Sequence, residues 1–165
     1  MKRFNLNEIS NAEAALIGHV IISFSAFENE ILRTIAAMNG AYDAPASADT
    51  GFHKRFQKIV EGGFGKRVKS FVAEYRKIYD DDEFISEFEN EMKVAISIRD
   101  QVAHGVWGKA EGGGLVCVFF SREAIKKGFG WSEMEFTRDG LECLAALNTK
   151  NAEMLASRFG EGDAV

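Results

Sequence analysis

Phe84 to Gly105 (FISEFENEMKVAISIRDQVAHG) constrains the fold more than any other stretch of the chain. Phe88, Met92, Ala95, Val102 and Val106 recur at steps of three and four, which makes one apolar stripe at the helical period. The pattern predicts a long helix closing at Gly105. The step between Ala95 and Val102 falls on Arg99. A guanidinium cannot shed its charge, so on a buried stripe it needs an anion to offset a desolvation cost of several kcal/mol. On the flank of the stripe, Asp100 and His104 sit at i and i+4 and are neighbours. Ser97 and Lys93 continue that polar line toward the N-terminus. A cation, a carboxylate and an imidazole therefore gather at the end of one core helix. One reading is structural: Arg99 pairs with a buried Glu, and His104 favours the negative end of the helix dipole. The other is chemical.

A second long helix is predicted from Ser10, whose Ser-Asn-Ala-Glu13 pattern is a capping box, to about Met38. Ile17, Ile21, Phe24, Ile31 and Ile35 form its stripe, and Glu28 falls on it between Phe24 and Ile31. The two longest helices thus carry one charge each, of opposite sign, on their apolar faces. Pairing Glu28 with Arg99 is the economical solution. Alternatively, Glu28 sits at the edge of the stripe and reaches water. A pair would fix the guanidinium for phosphate binding; a saturated pair would be purely structural. His19 lies on the opposite face and is expected to be exposed.

Asn39-Gly40 is expected to end the first helix with a left-handed cap, and residues 41–50 read as a loop around Pro45. A short helix from about Thr50 uses Phe52, Phe56, Ile59 and Val60. Gly62 to Gly65 breaks it; the phosphate-loop spacing is absent, so this is an inter-helix turn. The next helix, Lys66 to about Tyr79, places Val68, Phe71, Val72, Tyr75 and Ile78 inward. Between Lys54 and Lys77 lie eight Lys or Arg residues and only two acids. Lys54, Arg55, Lys58, Lys66, Arg67 and Lys69 are the candidates for tracking a phosphate backbone; a solvated helical face is the plainer account. The acidic run Asp80 to Glu83 complements the N-terminus of the motif helix, and its ligand pattern is too loose for a metal site.

Beyond Gly105, Val106 to Gly108 reads as a turn and Glu111 to Gly114 as a flexible loop. Leu115 to Phe120 is an apolar run of β-formers, and Trp131 to Phe136 alternates apolar with charged residues. They are expected to pair as a two-stranded ribbon, joined by a connector holding a helical turn. A last helix starts at Thr137 or Asp139 and runs to about Phe159, with Leu141, Leu144, Leu147 and Met154 inward. The tail from Glu161 is expected to fray.

The chain has 165 residues, enough for one domain with a real core. A single proline and 14 phenylalanines favour helices on an aromatic core. Net charge is −5, so any nucleic-acid binding must be local. Two cysteines, Cys117 and Cys143, are expected to be free thiols in a cytoplasmic protein. Lys2 and Arg3 are followed by polar residues, unlike a signal peptide, and no apolar stretch approaches the roughly 20 residues that span a bilayer. The expected fold is mainly α: an up-and-down helical bundle with a small β-hairpin inserted before the C-terminal helix. One domain covers 1–165, with core helices in 7–110, the ribbon in 111–137 and the last helix in 138–159.

Arg99-Asp-Gln-Val-Ala-His104, followed by Gly105 and Trp107, resembles the motif of the HEPN superfamily, in which Arg and His are separated by four to six residues late in a helical bundle. The first helix, LIGHVIISFSAFENEILRTI, also resembles the opening helix of bacterial HEPN-like proteins. The resemblance covers roughly residues 7–110. It implies a small helical bundle, a metal-independent endoribonuclease of toxin–antitoxin or phage-defence type, and a homodimer whose two motifs line one cleft across a twofold axis. It also admits a non-catalytic helical module that partners an antitoxin or defence protein. No cofactor and no metal are expected.

Metal-independent RNA cleavage needs a base for the ribose 2′-hydroxyl, a cation for the phosphate and an acid for the leaving 5′-oxygen. His104 is the acid/base of the motif, since imidazole titrates near neutrality. Arg99 suits the phosphate, where its fork binds bidentately. Asp100 would hold the imidazole in one tautomer, and Glu28, Ser97 and Lys93 would support the site. Arg99 and His104 lie five residues apart, about 140° around an ideal helix. Either Arg99 curls round to meet His104, or a second copy supplies the missing group.

Overall fold

The computed structural model describes residues 8–40, 50–120, 125, 126, 128 and 130–159. Helix α1 spans Asn11–Met38, α2 Thr50–Val60, α3 Phe64–Ile78, α4 Asp82–His104 and α5 Arg138–Phe159. Strands β1 (Val106–Lys109), β2 (Leu115–Phe119) and β3 (Ser132–Phe136) lie between α4 and α5. The fold is mainly α with a small antiparallel sheet, as expected. Most of the loop predicted at 41–50, most of the connector at 121–130 and the tail after 160 lie outside the described residues; Ile125 and Lys126 of the connector are helical.

The chain divides into two compact units. One gathers residues 8–24 and 97–147, the other 25–96 and 148–159. Helices α1, α4 and α5 each contribute to both.

In the first unit, α1 opens with the predicted capping box. Glu13 N donates to Ser10 Oγ (3.3 Å), and the Glu13 carboxylate accepts from Ser10 N (2.9 Å) and Ser10 Oγ (2.7 Å). Lys109 Nζ of β1 lies 2.8 Å from the same carboxylate. The Lys109 hydrogen bond first, then those from Ser10, hold the Glu13 carboxyl down at about 2. Its folded value lies below the unfolded one, so its contribution to stability is complete above the usual carboxylate range and is lost as pH falls toward that value. Glu13→Gln should therefore flatten the drop in melting temperature between about pH 5 and pH 2, read from circular-dichroism melts across that range.

The sheet has three strands in the order β1-β2-β3, all antiparallel. This corrects the expected two-stranded ribbon. Val106 to Gly108 is strand rather than turn, because β2 offers a second edge and Trp107 and Lys109 pair with Cys117 and Leu115. The β1–β2 hairpin closes through Ala110 N to Gly114 O (2.9 Å) and Gly113 N to Ala110 O (2.9 Å), with Gly113 at φ 83°. Leu115 to Cys117 and Val118 are buried on both faces of β2, which accounts for its unbroken apolar run. The start of α5 is capped by Thr137 Oγ1, which accepts from Gly140 N at 3.0 Å.

The second unit is aromatic-cored. Phe71 is fully buried, with ring centroids 4.9 Å from Phe88, 5.9 Å from Tyr75 and 6.3 Å from Phe159. Val68, Phe71, Val72 and Tyr75 face inward as predicted, but Ile78 is 49% exposed in the last turn of α3. On α5 the inward residues are Asn148, Asn151 and Leu155 in this unit and Leu141 and Ala145 in the first, where Leu147 is 45% exposed. The buried stripe passes through two asparagines, which an apolar count overlooks. Gly40 caps α1 at φ 64°, as predicted. In the acidic run, Asp81 caps α4 by accepting from Phe84 N at 3.1 Å and pairs with Arg158, so this carboxylate has a structural task.

Among the described residues α1 is the one helix long and apolar enough, by length and composition, to cross a bilayer. Its best 18-residue window has a mean hydropathy of 1.3, and 39% of that window is buried inside the protein. This departs from the expectation that no stretch comes near. Its buried side is taken by the chain itself: Val20, Phe27, Ile31 and Ile35 are fully covered, while Ser25 and Asn29 are exposed.

Candidate active site

The apolar stripe of α4 is real: Ile85, Phe88, Met92 and Val102 are all buried. Val106, expected on the same stripe, is 43% exposed because the helix has already ended and the chain has entered β1. Arg99 occupies its predicted step with its side chain 21% exposed, Asp100 is 48% exposed, and His104 is exposed in the last turn.

Arg99 bridges the 140° gap itself. Its Nη1 lies 3.3 Å from His104 Nε2 and 3.3 Å from Asp100 Oδ1. A guanidinium has only donors, so a hydrogen bond across this contact has Nε2 as its acceptor, which requires the tautomer with the ring proton on Nδ1. The first of the two sequence-derived remedies is therefore present within one chain. Asp100 is placed differently from the expectation. Its carboxylate takes a proton donor from Arg99 rather than from His104, so it orients the guanidinium, which in turn meets the imidazole. Arg99 Nη1 thus touches both the carboxylate and the imidazole.

The helix end that carries His104 is held by hydrogen bonds. Gly105 N donates to Gln101 O at 2.7 Å, and Trp107 Nε1 of β1 donates to Val102 O at 3.2 Å. A helix terminus leaves such carbonyls without intrahelical donors, so an indole from the adjoining strand satisfies one of them. The role of Trp107 is not readable from sequence, because it depends on β1 folding back beside the helix end.

Glu28 is 3% exposed, which removes the edge-of-stripe alternative. Arg67 of α3 forms an ion pair with it and also donates to Val60 O at 2.9 Å. Arg67 is thus an internal cation, although the sequence groups it with the basic region. The rest of that region is at the surface: Lys54, Arg55, Lys58, Lys66 and Lys69 are exposed, and Lys66 Nζ donates to Lys58 O at 2.6 Å. Ser97 and Lys93 are exposed on α4, with Lys93 Nζ 2.9 Å from Asn90 Oδ1. His19 is exposed, as predicted. Among the described residues no three His, Cys, Asp or Glu side chains gather as metal ligands.

Compared with models of known protein families, with curated proteins and with solved structures, the chain has no match.

Proposed function

We propose that the chain is a metal-independent endoribonuclease of HEPN type, with His104 as acid/base and Arg99 on the phosphate. The observation that carries this reading is the 3.3 Å approach of Arg99 Nη1 to an exposed His104 Nε2. In the resting site the guanidinium satisfies the lone pair that would serve as base. A phosphodiester, with two anionic oxygens matched to the guanidinium fork, draws Arg99 away and frees Nε2. Asp100 keeps the guanidinium near the site as it turns. The 2′-oxygen then attacks phosphorus, the bond to the 5′-oxygen breaks, and the products are a 2′,3′-cyclic phosphate and a 5′-hydroxyl. His104 takes the 2′-hydroxyl proton.

A second proton must reach the 5′-oxygen. A homodimer with the two motifs facing across a twofold axis supplies it from a second, protonated His104. That assembly, a toxin or phage-defence role and a cytoplasmic location rest on the resemblance of Arg99 to His104 to the HEPN motif. Lys54, Arg55, Lys58, Lys66 and Lys69 would track the rest of the RNA. Neutralising Lys54, Arg55 and Lys58 together should reduce the salt dependence of RNA binding by a slope of about 2, measured by fluorescence anisotropy, with the melting temperature unchanged.

The second reading is a non-catalytic helical module partnering an antitoxin or defence protein. It is favoured by the engagement of Arg99 with both Asp100 and His104, which leaves the resting motif internally satisfied. The test is to incubate purified protein with single-stranded RNA in excess EDTA and analyse the ends. Cleavage to cyclic-phosphate and 5′-hydroxyl ends supports the nuclease. Intact RNA across the neutral pH range, with the protein folded and dimeric by light scattering, overturns it in favour of the module.

A further inference from the structure

We infer that Cys117 and Gly105 are positioning residues for His104: the sheet grips the last turn of α4 and sets where the imidazole stands. The functional half of this inference rests on the ribonuclease reading; the structural half does not.

Cys117 and Trp107 are direct cross-strand partners in the β1–β2 register. From that one pair, two donors reach two consecutive carbonyls at the end of the helix. Cys117 Sγ donates to Gln101 O at 3.2 Å, and Trp107 Nε1 donates to Val102 O at 3.2 Å. Val102 O is among the carbonyls that a helix C-terminus leaves without ladder partners, whereas Gln101 O already accepts from Gly105 N at 2.7 Å, so the thiol is its second donor. Gln101 and Val102 precede His104 by three and two residues, so the grip acts on the turn that carries the ring.

Gly105 makes the approach feasible. A Cβ at this position would lie 2.1 Å from Cys117 Sγ, 2.6 Å from Gln101 O and 3.1 Å from Val118 O. Its φ is not in the left-handed region, unlike those of Gly40, Gly113 and Gly128. Glycine is needed here for contact rather than for conformation. The sequence reading, in which Gly105 simply closes the helix, thus understates it: the residue after His104 is where β2 touches the helix.

The thiol is suited to being a fixed donor. Cys117 is fully buried, and burial pushes its pKa up to about 11, so it keeps its proton across the neutral range. A buried thiol of this kind is not a nucleophile. The remaining function of the S–H is the hydrogen bond to Gln101 O.

The test compares Cys117→Ala with Cys117→Ser. Alanine removes both the donor and the atom packed on Gly105; serine keeps a donor. Misplacing a catalytic group by about 1 Å costs on the order of 100-fold. Cys117→Ala is therefore expected to lower kcat by at least tenfold with KM little changed, and Cys117→Ser to recover most of it. In parallel, nitrogen NMR of the His104 ring should report the Nδ1–H tautomer in wild type and in Cys117→Ser, and averaging toward both tautomers in Cys117→Ala. Gly105→Ala should fail in the same direction or not fold. Unchanged ring signals in folded Cys117→Ala overturn the inference, as does an equal loss in both Cys117 variants. Ring signals that change as expected in a wild-type protein that cleaves no RNA sustain the positioning role and remove the ribonuclease.

Discussion

On the proposed ribonuclease reading, replacing His104 by alanine is expected to lower RNA cleavage by about 10²- to 10⁴-fold, the usual worth of a positioned general acid–base group. Melting temperature should not move by more than a degree or two, because His104 is exposed and the buried stripe of α4 does not include it. Arg99→Ala removes the charge-assisted fork on the phosphate and is expected to cost roughly 10²- to 10³-fold, comparable to losing one preorganised transition-state donor. Arg99→Lys separates charge from geometry. Lysine keeps the positive charge but neither the planar fork nor the reach to two acceptors at once, so it should recover only a minor part of the rate. Asp100→Asn should cost least of the three. Its carboxylate is half exposed and touches Arg99 rather than the imidazole, so it tunes the guanidinium at one remove. Single-turnover cleavage of a labelled RNA, beside melts of each variant, separates these expectations from loss of fold. Rates for His104→Ala and Arg99→Ala equal to wild type would transfer the cleavage to other residues and leave the motif without chemistry.

The helices are legible in the sequence because each writes its own period. The α4 stripe, the α1 capping box and the Asn39-Gly40 stop are local signals, and each is present at or within two residues of its predicted place. β1 writes no such signal. Val-Trp-Gly-Lys is four residues with a glycine inside, and it becomes a strand only because β2 lies beside it. The same holds for Gly105, whose requirement arises from Cys117, twelve residues further along. At the site, spacing alone placed Asp100 beside His104; the carboxylate instead found the stronger partner, a guanidinium next to it in sequence. Helical geometry says which side chains share a face. It does not say which of two neighbours a carboxylate selects, since that is decided by charge and side-chain reach.

Arg67 shows the same limit in energetic terms and carries the second large prediction. In sequence it is one of eight cations in a basic region; in the fold it is the one whose guanidinium pairs with Glu28, a carboxylate only 3% exposed. Removing one member of a buried pair leaves charge in a medium that solvates it poorly, at a cost of about 3–5 kcal/mol. Its side chain is itself 20% exposed, which places Arg67→Ala toward the lower end, about 3 kcal/mol. For a chain of this length that corresponds to a drop of roughly 6–12 °C in melting temperature. Arg55→Ala, on the exposed face of α2, should shift it by no more than about 1–2 °C, in keeping with a substitution of less than about 0.5 kcal/mol. RNA binding should show the opposite order once both proteins are held at a temperature where each is folded: Arg55→Ala weakens it and Arg67→Ala does not. A double variant Arg67→Met, Glu28→Gln should recover part of the lost stability, because neutralising both partners removes the stranded charge as well as the pair. If Arg67→Ala melts with wild type, the pair is worth no more than a surface bridge, and Arg67 returns to the basic region as one more cation facing the solvent.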